Sequence, residues 1–153
     1  MKKFVLFAIC AVMLSSCTTL TRQEHNQLRE LQAQGVTVDR PVGNYEKPAS
    51  GVAAGALNLL PGIGNFYLGT GNAAESSHVL YGVLNLLTWP LSILWAVPEA
   101  AIDADNINKR ELIYYYLYDK QGKQELKDAN IKLSYYTIEE PRHAFEETFS
   151  DND

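Results

Sequence analysis

Two apolar stretches near the middle of the chain limit its possible folds more than any other feature of the sequence. Residues 51–69 carry no charged side chain, and residues 79–102 carry one, Glu99. Because an α-helix rises 1.5 Å per residue, about 20 apolar residues cross the hydrocarbon core of a bilayer. The second stretch is long enough for such a span, whereas Pro61 and Gly62 interrupt the first.

We expect residues 51–103 to form an apolar helical hairpin in which the two stretches repeat each other. Residues 55–60 read GALNLL and residues 82–87 read GVLNLL, and a proline follows each copy. Such a repeat suits two packed helices of similar design. Chance similarity between two apolar stretches is the alternative.

Six residues of this hairpin are candidates for helix packing. Small residues let helix backbones approach closely in lipid, and the spacing of Gly51 and Gly55 fits that pattern. An amide in hydrocarbon is costly unless it is hydrogen-bonded. We therefore expect three asparagines to bond between the helices or to a partner subunit, unless the stretches lie on the membrane and the amides face water. The remaining candidates are Asn58, Asn65, Asn85 and the intramembrane-type acid Glu99.

Polar segments flank the hairpin. Residues 17–50 are expected to be a polar tether with one short helix between Thr21 and Gln34, which Gly35 would end; a disordered linker fits this segment equally well. In residues 104–153 the Asp119-x-x-Gly122 motif, between a Tyr-rich run and residues 123–126, predicts a small β-hairpin.

The C-terminal region has a competing interpretation, a helix through residues 107–118. Residues 131–138 are a candidate third strand, and Asp103, Asp105 and Asn106 are candidates to cap a helix start. The expected fold class is mainly α, with a small Tyr-rich β-hairpin or an α+β C-terminal region.

The N-terminal residues have the features of an export signal. Two lysines precede an apolar run, residues 4–14, that is too short to span a bilayer comfortably. The following Leu14-Ser15-Ser16-Cys17 resembles the lipobox of bacterial lipoproteins. This resemblance implies removal of residues 1–16 by cleavage between Ser16 and Cys17, and acyl chains such as palmitate on Cys17. An ordinary secretory signal is the alternative.

The lipobox resemblance also implies a location. A lipoprotein of this kind is anchored by its acyl chains on the periplasmic side of a cell-envelope membrane. In lipoproteins of the enterobacterial type, Thr18 after the lipidated cysteine implies the outer membrane, with the inner membrane as the alternative.

A second resemblance concerns residues 51–105, about a third of the chain. The run NFYLG at residues 65–69, followed by an apolar stretch with Trp95 and then Asp103, resembles the two-span transmembrane hairpin family marked by an F-Y-L-G motif. Asn65 stands where that family usually has a basic residue. The family is functionally diverse, so the resemblance implies an architecture rather than an activity.

The remaining composition excludes several classes of function. The formal net charge of −5 becomes −7 when removal of residues 1–16 takes away two lysines, which disfavours nucleic-acid binding. The three histidines, at positions 25, 78 and 143, lack metal-ligand spacing, and no catalytic motif is present in the sequence. We therefore expect no enzyme activity, no catalytic residue, no metal site and no cofactor.

The expected partners follow from these features. They are membrane lipid, through acylated Cys17, and another envelope protein, with the Tyr-rich tail as a recognition surface; a homo-oligomer is possible. The expected function is that of a structural or interaction accessory of the envelope. The alternative is a membrane-perturbing factor that excludes phage or conjugation.

Overall fold

A computed structural model describes residues 18–70 and 76–134 of the 153-residue chain. Cys17 and the predicted signal sequence lie outside the described residues, as do positions 135–138 of the candidate third strand. The fold is mainly α, as expected. The helices are α1 Arg22–Ala33, α2 Gly51–Leu57, α3 Ile63–Thr70, α4 Ser76–Leu87, α5 Ile93–Leu117 and α6 Lys120–Asp128.

Helix α1 confirms the helix predicted between Thr21 and Gln34. Thr21 caps it: the Thr21 hydroxyl accepts a hydrogen bond from the Glu24 amide, and the Glu24 carboxylate accepts one from the Thr21 amide. Gly35 follows the last turn with a φ of 82°, which a residue with a side chain rarely adopts. The segment expected to act as a tether packs Leu28 and Leu31 against α5.

Each apolar stretch folds into two helices rather than one. The first is broken at residues 58–62, where Gly62 has a φ of 76°, and the second at residues 88–92, around Pro90. Proline lacks the amide hydrogen that a continuing helix needs. Helix α3 packs against α4, and α2 packs against α5.

The break in the second stretch corrects the prediction of a membrane-spanning helix. No helix within residues 18–70 and 76–134 combines the length and apolar character needed to cross a bilayer. The sequence-based estimate counted residues 79–102 as one helix, whereas the turn at residues 88–92 divides them between α4 and α5.

The predicted β-hairpin is also wrong. Residues 112–117 belong to α5, and Asp119 caps α6 by accepting hydrogen bonds from the Gln121 and Gly122 amides. The competing prediction, a helix through residues 107–118, is confirmed. Four buried residues in this part of α5 recur with helical spacing, and their packing outweighs the β-propensity of adjacent tyrosines. They are Leu112, Ile113, Tyr116 and Leu117.

The predicted helix start near Asp103 is wrong as well, because α5 begins ten residues earlier, at Ile93. Asp103, Asp105 and Asn106 lie inside this helix: the side chains of Asp103 and Asn106 bond to Thr18, and that of Asp105 pairs with Lys109 of the same helix. The change from an apolar stretch to a polar run at Asp103 predicts the start of a new helix. Instead, α5 continues without a break from the apolar residues into the polar ones.

The described residues form two units that share α5. The apolar unit consists of residues 51–70 and 76–103, and the polar unit consists of residues 18–50 and 104–134. The polar unit has a conventional core. Its buried members are Leu20, Leu28, Leu31, Val36, Tyr45, Leu112, Ile113, Tyr116, Leu117, Leu126 and Leu133.

Candidate functional site: an apolar surface over a polar interior

The apolar unit exposes most of its large apolar side chains. Leu87 and Leu94 are 75% and 78% exposed. Isolated exposed leucines are common in soluble proteins, but contiguous apolar surface marks contact with lipid or with another protein. The other strongly exposed members are Val52, Leu59, Leu60, Leu80, Leu86, Trp89, Leu91 and Ile102.

The interior of the same unit contains buried amides beside small apolar residues such as Ala54 and Ala100. Asn58, at the end of α2, is 1% exposed. Its side-chain amide donates hydrogen bonds to Asn65 Oδ1 at 2.5 Å and to the Ala96 carbonyl of α5 at 2.7 Å. Its own Oδ1 accepts from the Asn65 backbone amide at 3.2 Å. This one side chain therefore links α2, α3 and α5, consistent with the requirement that a buried amide be hydrogen-bonded.

Asn85 has the equivalent position in the second repeat copy, and it is also 1% exposed. Its backbone carbonyl accepts a hydrogen bond from Ser92 Oγ at 2.8 Å, and its Oδ1 accepts one from Trp95 Nε1 at 3.3 Å. These bonds close the turn at residues 88–92 and join α4 to α5. In both copies a buried asparagine is therefore followed by two exposed leucines and a turn.

A third polar cluster, which we call the Thr18 clamp, lies at the junction of the two units and consists of Thr18, His78, Asp103 and Asn106. The Thr18 amide donates to Asp103 Oδ1 at 2.7 Å, and the Thr18 carbonyl accepts from Asn106 Nδ2 at 2.5 Å. The Thr18 hydroxyl lies 3.3 Å from His78 Nε2, and His78 Nδ1 lies 3.8 Å from Asp103 Oδ2.

The side chains of His78 and Asp103 are almost completely buried, at 0% and 1% exposure. A buried carboxylate is costly unless hydrogen bonds or an opposite charge compensate it. In the clamp, Asp103 Oδ1 accepts the hydrogen bond of the Thr18 amide, which fixes the backbone of Thr18 against α5.

A second contact near this level of α5 holds the chain that leads into α2. The Asn108 side chain accepts from the Ala49 amide at 3.0 Å and donates to the Ala49 carbonyl at 2.7 Å. The Tyr45 hydroxyl donates to the Asn108 carbonyl at 2.8 Å. The clamp and this contact therefore fix both ends of residues 18–49 to α5.

The glycine candidates lie at the contact between α2 and α5. A Cβ atom at Gly51 would be 3.3 Å from the Ala101 carbonyl oxygen, and one at Gly55 would be 3.4 Å from that of Val97. These small residues therefore allow close approach of the two backbones. Glu99 is partly exposed on α5.

The polar unit carries interacting charged side chains, in contrast to the exposed leucines of the apolar unit. Glu125 loses solvation by burial, which raises its pKa, but hydrogen bonds from Gln121, Tyr115 and Asn44 outweigh this and lower it below 4.5. Burial, with the hydrogen bond to Glu125, raises the pKa of Tyr115 to about 12. For Glu24, the hydrogen bonds of Thr21 and the charge of Arg110 outweigh desolvation and lower the pKa.

Sequence reasoning identified the three asparagines but missed the clamp. Thr18, His78 and Asp103 are far apart in the sequence, and nothing in their spacing pairs them. The available signal was the position of His78 and Asp103 beside the ends of the second apolar stretch. Within residues 18–70 and 76–134, no three His, Cys, Asp or Glu side chains lie close enough together to hold a metal ion.

Comparisons with known proteins give no relative: no protein-family model, no curated protein and no solved structure matches this chain.

Proposed function

We propose that this chain is a non-enzymatic, lipid-anchored protein of the bacterial cell envelope. Cys17 carries the acyl anchor, the apolar unit is embedded in membrane lipid beside it, and the polar unit is held at the membrane surface. There the polar unit acts as a structural or interaction accessory for another envelope protein.

The observation that carries this proposal is the inverted distribution of polarity in the apolar unit. Its asparagines are buried, while most of its leucines are exposed. In water this arrangement would leave a large apolar surface exposed to solvent. In lipid the outward leucines match the surroundings, and the Asn58 amide is hydrogen-bonded inside, to Asn65 and to the Ala96 carbonyl. The lipobox resemblance supplies an independent reason to place this surface at a membrane.

The depth of the apolar unit supports insertion into one leaflet. From Asp103 to Ser92, α5 rises about 16 Å at 1.5 Å per residue. One leaflet contributes half of a hydrocarbon core that is about 30 Å thick. With Asp103 at the membrane surface, the turns at residues 58–62 and 88–92 would lie near the middle of the bilayer.

The polar unit offers a candidate surface for a protein partner. Tyr114 and Tyr118 are both exposed on α5, and their ring centroids are 5.3 Å apart. Exposed tyrosines are enriched among the residues that dominate protein interfaces. The remaining tyrosines of this run, Tyr115 and Tyr116, pack with Tyr45 instead.

The insertion can be measured with the chain's own tryptophans, because both of them, Trp89 and Trp95, lie in the apolar unit. The variants Trp89→Phe and Trp95→Phe, each purified with its lipid, are reconstituted into vesicles whose phospholipids carry bromine at different acyl positions. We expect Trp89, in the turn, to be quenched most by the deepest bromines and Trp95 by shallower ones.

A tryptophan in the polar unit provides the matched control. Tyr114→Trp in a background without Trp89 and Trp95 should be quenched by aqueous acrylamide and not by brominated lipid. If the native tryptophans behave like this control, the apolar unit is not in lipid and the proposal fails.

A further inference from the structure

A cleft with a volume of about 440 Å³ lies where the polar and apolar units meet. Sites for small molecules commonly have volumes of about 300–1,000 Å³ and combine apolar lining with a few polar groups. We call this feature the junction cleft. Its lining includes Asp39, Lys47, Ser50 and Asp105 of the polar unit, and Val52 and Tyr67 of the apolar unit. The cleft therefore presents charged groups and apolar surface to the same ligand.

Charges of both signs line the junction cleft. Lys47 Nζ lies 2.5 Å from Asp39 Oδ1. Asp105 Oδ2 lies 2.5 Å from Lys109 Nζ. The side chains of Asp39 and Asp105 are 85% and 54% exposed, and ion pairs with such exposure contribute little to stability. At small cost, these pairs can therefore open toward a ligand that carries both an anionic and a cationic group.

Two hydroxyl groups of the cleft add hydrogen-bond donors for an anion. The Tyr67 hydroxyl accepts a hydrogen bond from the Ser50 amide at 3.1 Å, and the Ser50 hydroxyl accepts one from the Ala53 amide at 3.2 Å. Because each hydroxyl acts as an acceptor in these bonds, it can donate its own hydrogen to a ligand oxygen. Together with the Lys47 ammonium, these hydroxyls form a set of donors that suits a phosphate group.

The position of the cleft along α5 matches the level of phospholipid headgroups. This step rests on the proposed function, which puts Asp103 at the membrane surface. Asp105 lies two residues further into the polar unit, about 3 Å along the helix axis. Val52, which lines the cleft from the apolar unit, is 84% exposed. The junction cleft therefore lies between the depth of the acyl chains and that of water.

We propose that the junction cleft binds a phosphoethanolamine group, as in the headgroup of a phospholipid. The phosphate oxygens accept hydrogen bonds from Lys47, Ser50 and Tyr67, and the primary ammonium donates to the carboxylates of Asp39 and Asp105.

The same groups discriminate against two other common headgroups. The quaternary ammonium of phosphocholine has no hydrogen to donate, and it is recognised by aromatic cages rather than by carboxylates. The headgroup of phosphatidylglycerol carries no cation to face Asp39 and Asp105. Selectivity for the primary ammonium is therefore the property that identifies this site.

Native mass spectrometry of the full chain, purified from its membrane in detergent, tests this selectivity. The probes are phosphatidylethanolamine, phosphatidylcholine and phosphatidylglycerol with identical short acyl chains, so that contacts of the chains with the apolar unit are the same for all three. We expect phosphatidylethanolamine to bind at least five times more tightly than the other two. Equal affinity, or a preference for either of the others, would overturn the proposal.

Variants that remove one charge locate the site. Lys47→Gln and Asp105→Asn, both at exposed positions, should each lower the affinity for phosphatidylethanolamine at least threefold. Lys132→Gln and Asp128→Asn remove the same charges at exposed positions outside the cleft lining, and they should leave the affinity unchanged. Circular dichroism checks that all four variants keep the helical fold. Selectivity that survives in Lys47→Gln and in Asp105→Asn would show that the headgroup binds elsewhere, and the proposal would fail.

Soluble glycerophosphoethanolamine identifies the source of the group. Tighter binding of the phospholipid assigns the site to a membrane lipid, and equal binding of the soluble compound assigns it to a free phosphoethanolamine ester. Both results support recognition of the group itself.

The tryptophan-quenching measurement separates this site from the proposed function. If brominated lipid quenches the native tryptophans but the chain does not select among headgroups, only the assignment of the junction cleft fails. If the chain selects phosphatidylethanolamine in detergent but its tryptophans are not quenched by brominated lipid, the proposed insertion fails and the binding site stands.

Discussion

Helix α5 passes through both units, and its two halves follow opposite rules. In the apolar unit its buried residues are small, such as Ala96 and Ala100, and Leu94 faces outward. In the polar unit its buried residues are large, such as Leu112 and Tyr116. The difference teaches that one helix can pack closely through small residues in one half and fill an apolar core with large residues in the other.

The two units also differ in what holds them together. The core of the polar unit is a contiguous apolar cluster, which is stabilised by removal of surface from water. The apolar unit is held by close backbone contacts at glycines and by buried amide bonds. These are the interactions that remain effective when the surrounding medium is itself apolar.

The largest expected effect comes from removing a core leucine of the polar unit. Leu112→Ala leaves a cavity and should lower the free energy of unfolding by about 2–5 kcal/mol. Leu94→Ala, at an exposed position of the same helix, should change it by less than about 0.5 kcal/mol in detergent. Urea unfolding followed by circular dichroism measures both variants. Equal effects would mean that the two halves of α5 do not differ as described.

A backbone test compares two glycines with positive φ. A Cβ atom at Gly62 would lie 2.1 Å from the Gly82 carbonyl oxygen, whereas one at Gly35 would meet nothing within 4 Å. Gly35→Ala should therefore lower the free energy of unfolding only because alanine disfavours the left-handed conformation, by about 1–2 kcal/mol. Gly62→Ala should cost about 1–2 kcal/mol more, because the helices must also separate. Thermal unfolding of both variants in detergent checks the order, and a smaller loss at Gly62 would argue against close contact between the turn and α4.

An interior substitution tests the polar packing of the apolar unit. Asn58→Leu has similar volume but leaves Asn65 Oδ1 and the Ala96 carbonyl without that donor. The expected loss is about 1–3 kcal/mol. Asn26→Leu, at an exposed position of α1, is the control and should have little effect. A stabilised Asn58→Leu variant would show that the apolar unit does not depend on its buried amides.

The smallest expected effect is a pH dependence confined to the polar unit. Because the pKa of Glu125 is lowered below 4.5 in the folded chain, its contribution to stability is present above pH 4.5 and is lost as the pH falls through the folded pKa. Glu125→Gln should weaken the acid-induced fall in melting temperature. Glu46→Gln, at an exposed position, is the control for a general change in charge. Identical acid profiles for wild type and Glu125→Gln would contradict the assignment.

The high end of the pH range has the opposite sign. The pKa of Tyr115 is raised from 10.0 to about 12, so the stability contributed by its neutral hydroxyl is present below pH 10 and is lost as the pH rises toward 12. Tyr115→Phe should weaken this alkaline dependence in a melting series. Tyr114→Phe, at an exposed position, should leave the alkaline dependence unchanged. If the dependence disappears in Tyr114→Phe, it does not come from Tyr115.

Local signals in the sequence predicted the elements whose causes are local. Thr21 and Gly35 mark the two ends of α1, because a helix cap and a left-handed backbone conformation each depend on a single residue. Pro61 and Gly62 interrupt the first apolar stretch for the same reason. The tyrosine run failed as a guide because intrinsic β-propensity is weak and the packing of Leu112 and Tyr116 in the apolar core decides the conformation.

The sequence by itself determined the mainly helical character, the division into apolar and polar segments and the position of the breaks at Pro61 and Gly62. The tertiary structure alone decided that the second stretch divides at Pro90 and not at Pro98, which lies inside α5, that α5 runs from one unit into the other, and that Thr18, His78 and Asp103 meet. Sequence patterns record which surroundings each residue prefers, but contacts between residues 60 to 85 positions apart depend on how the helices pack.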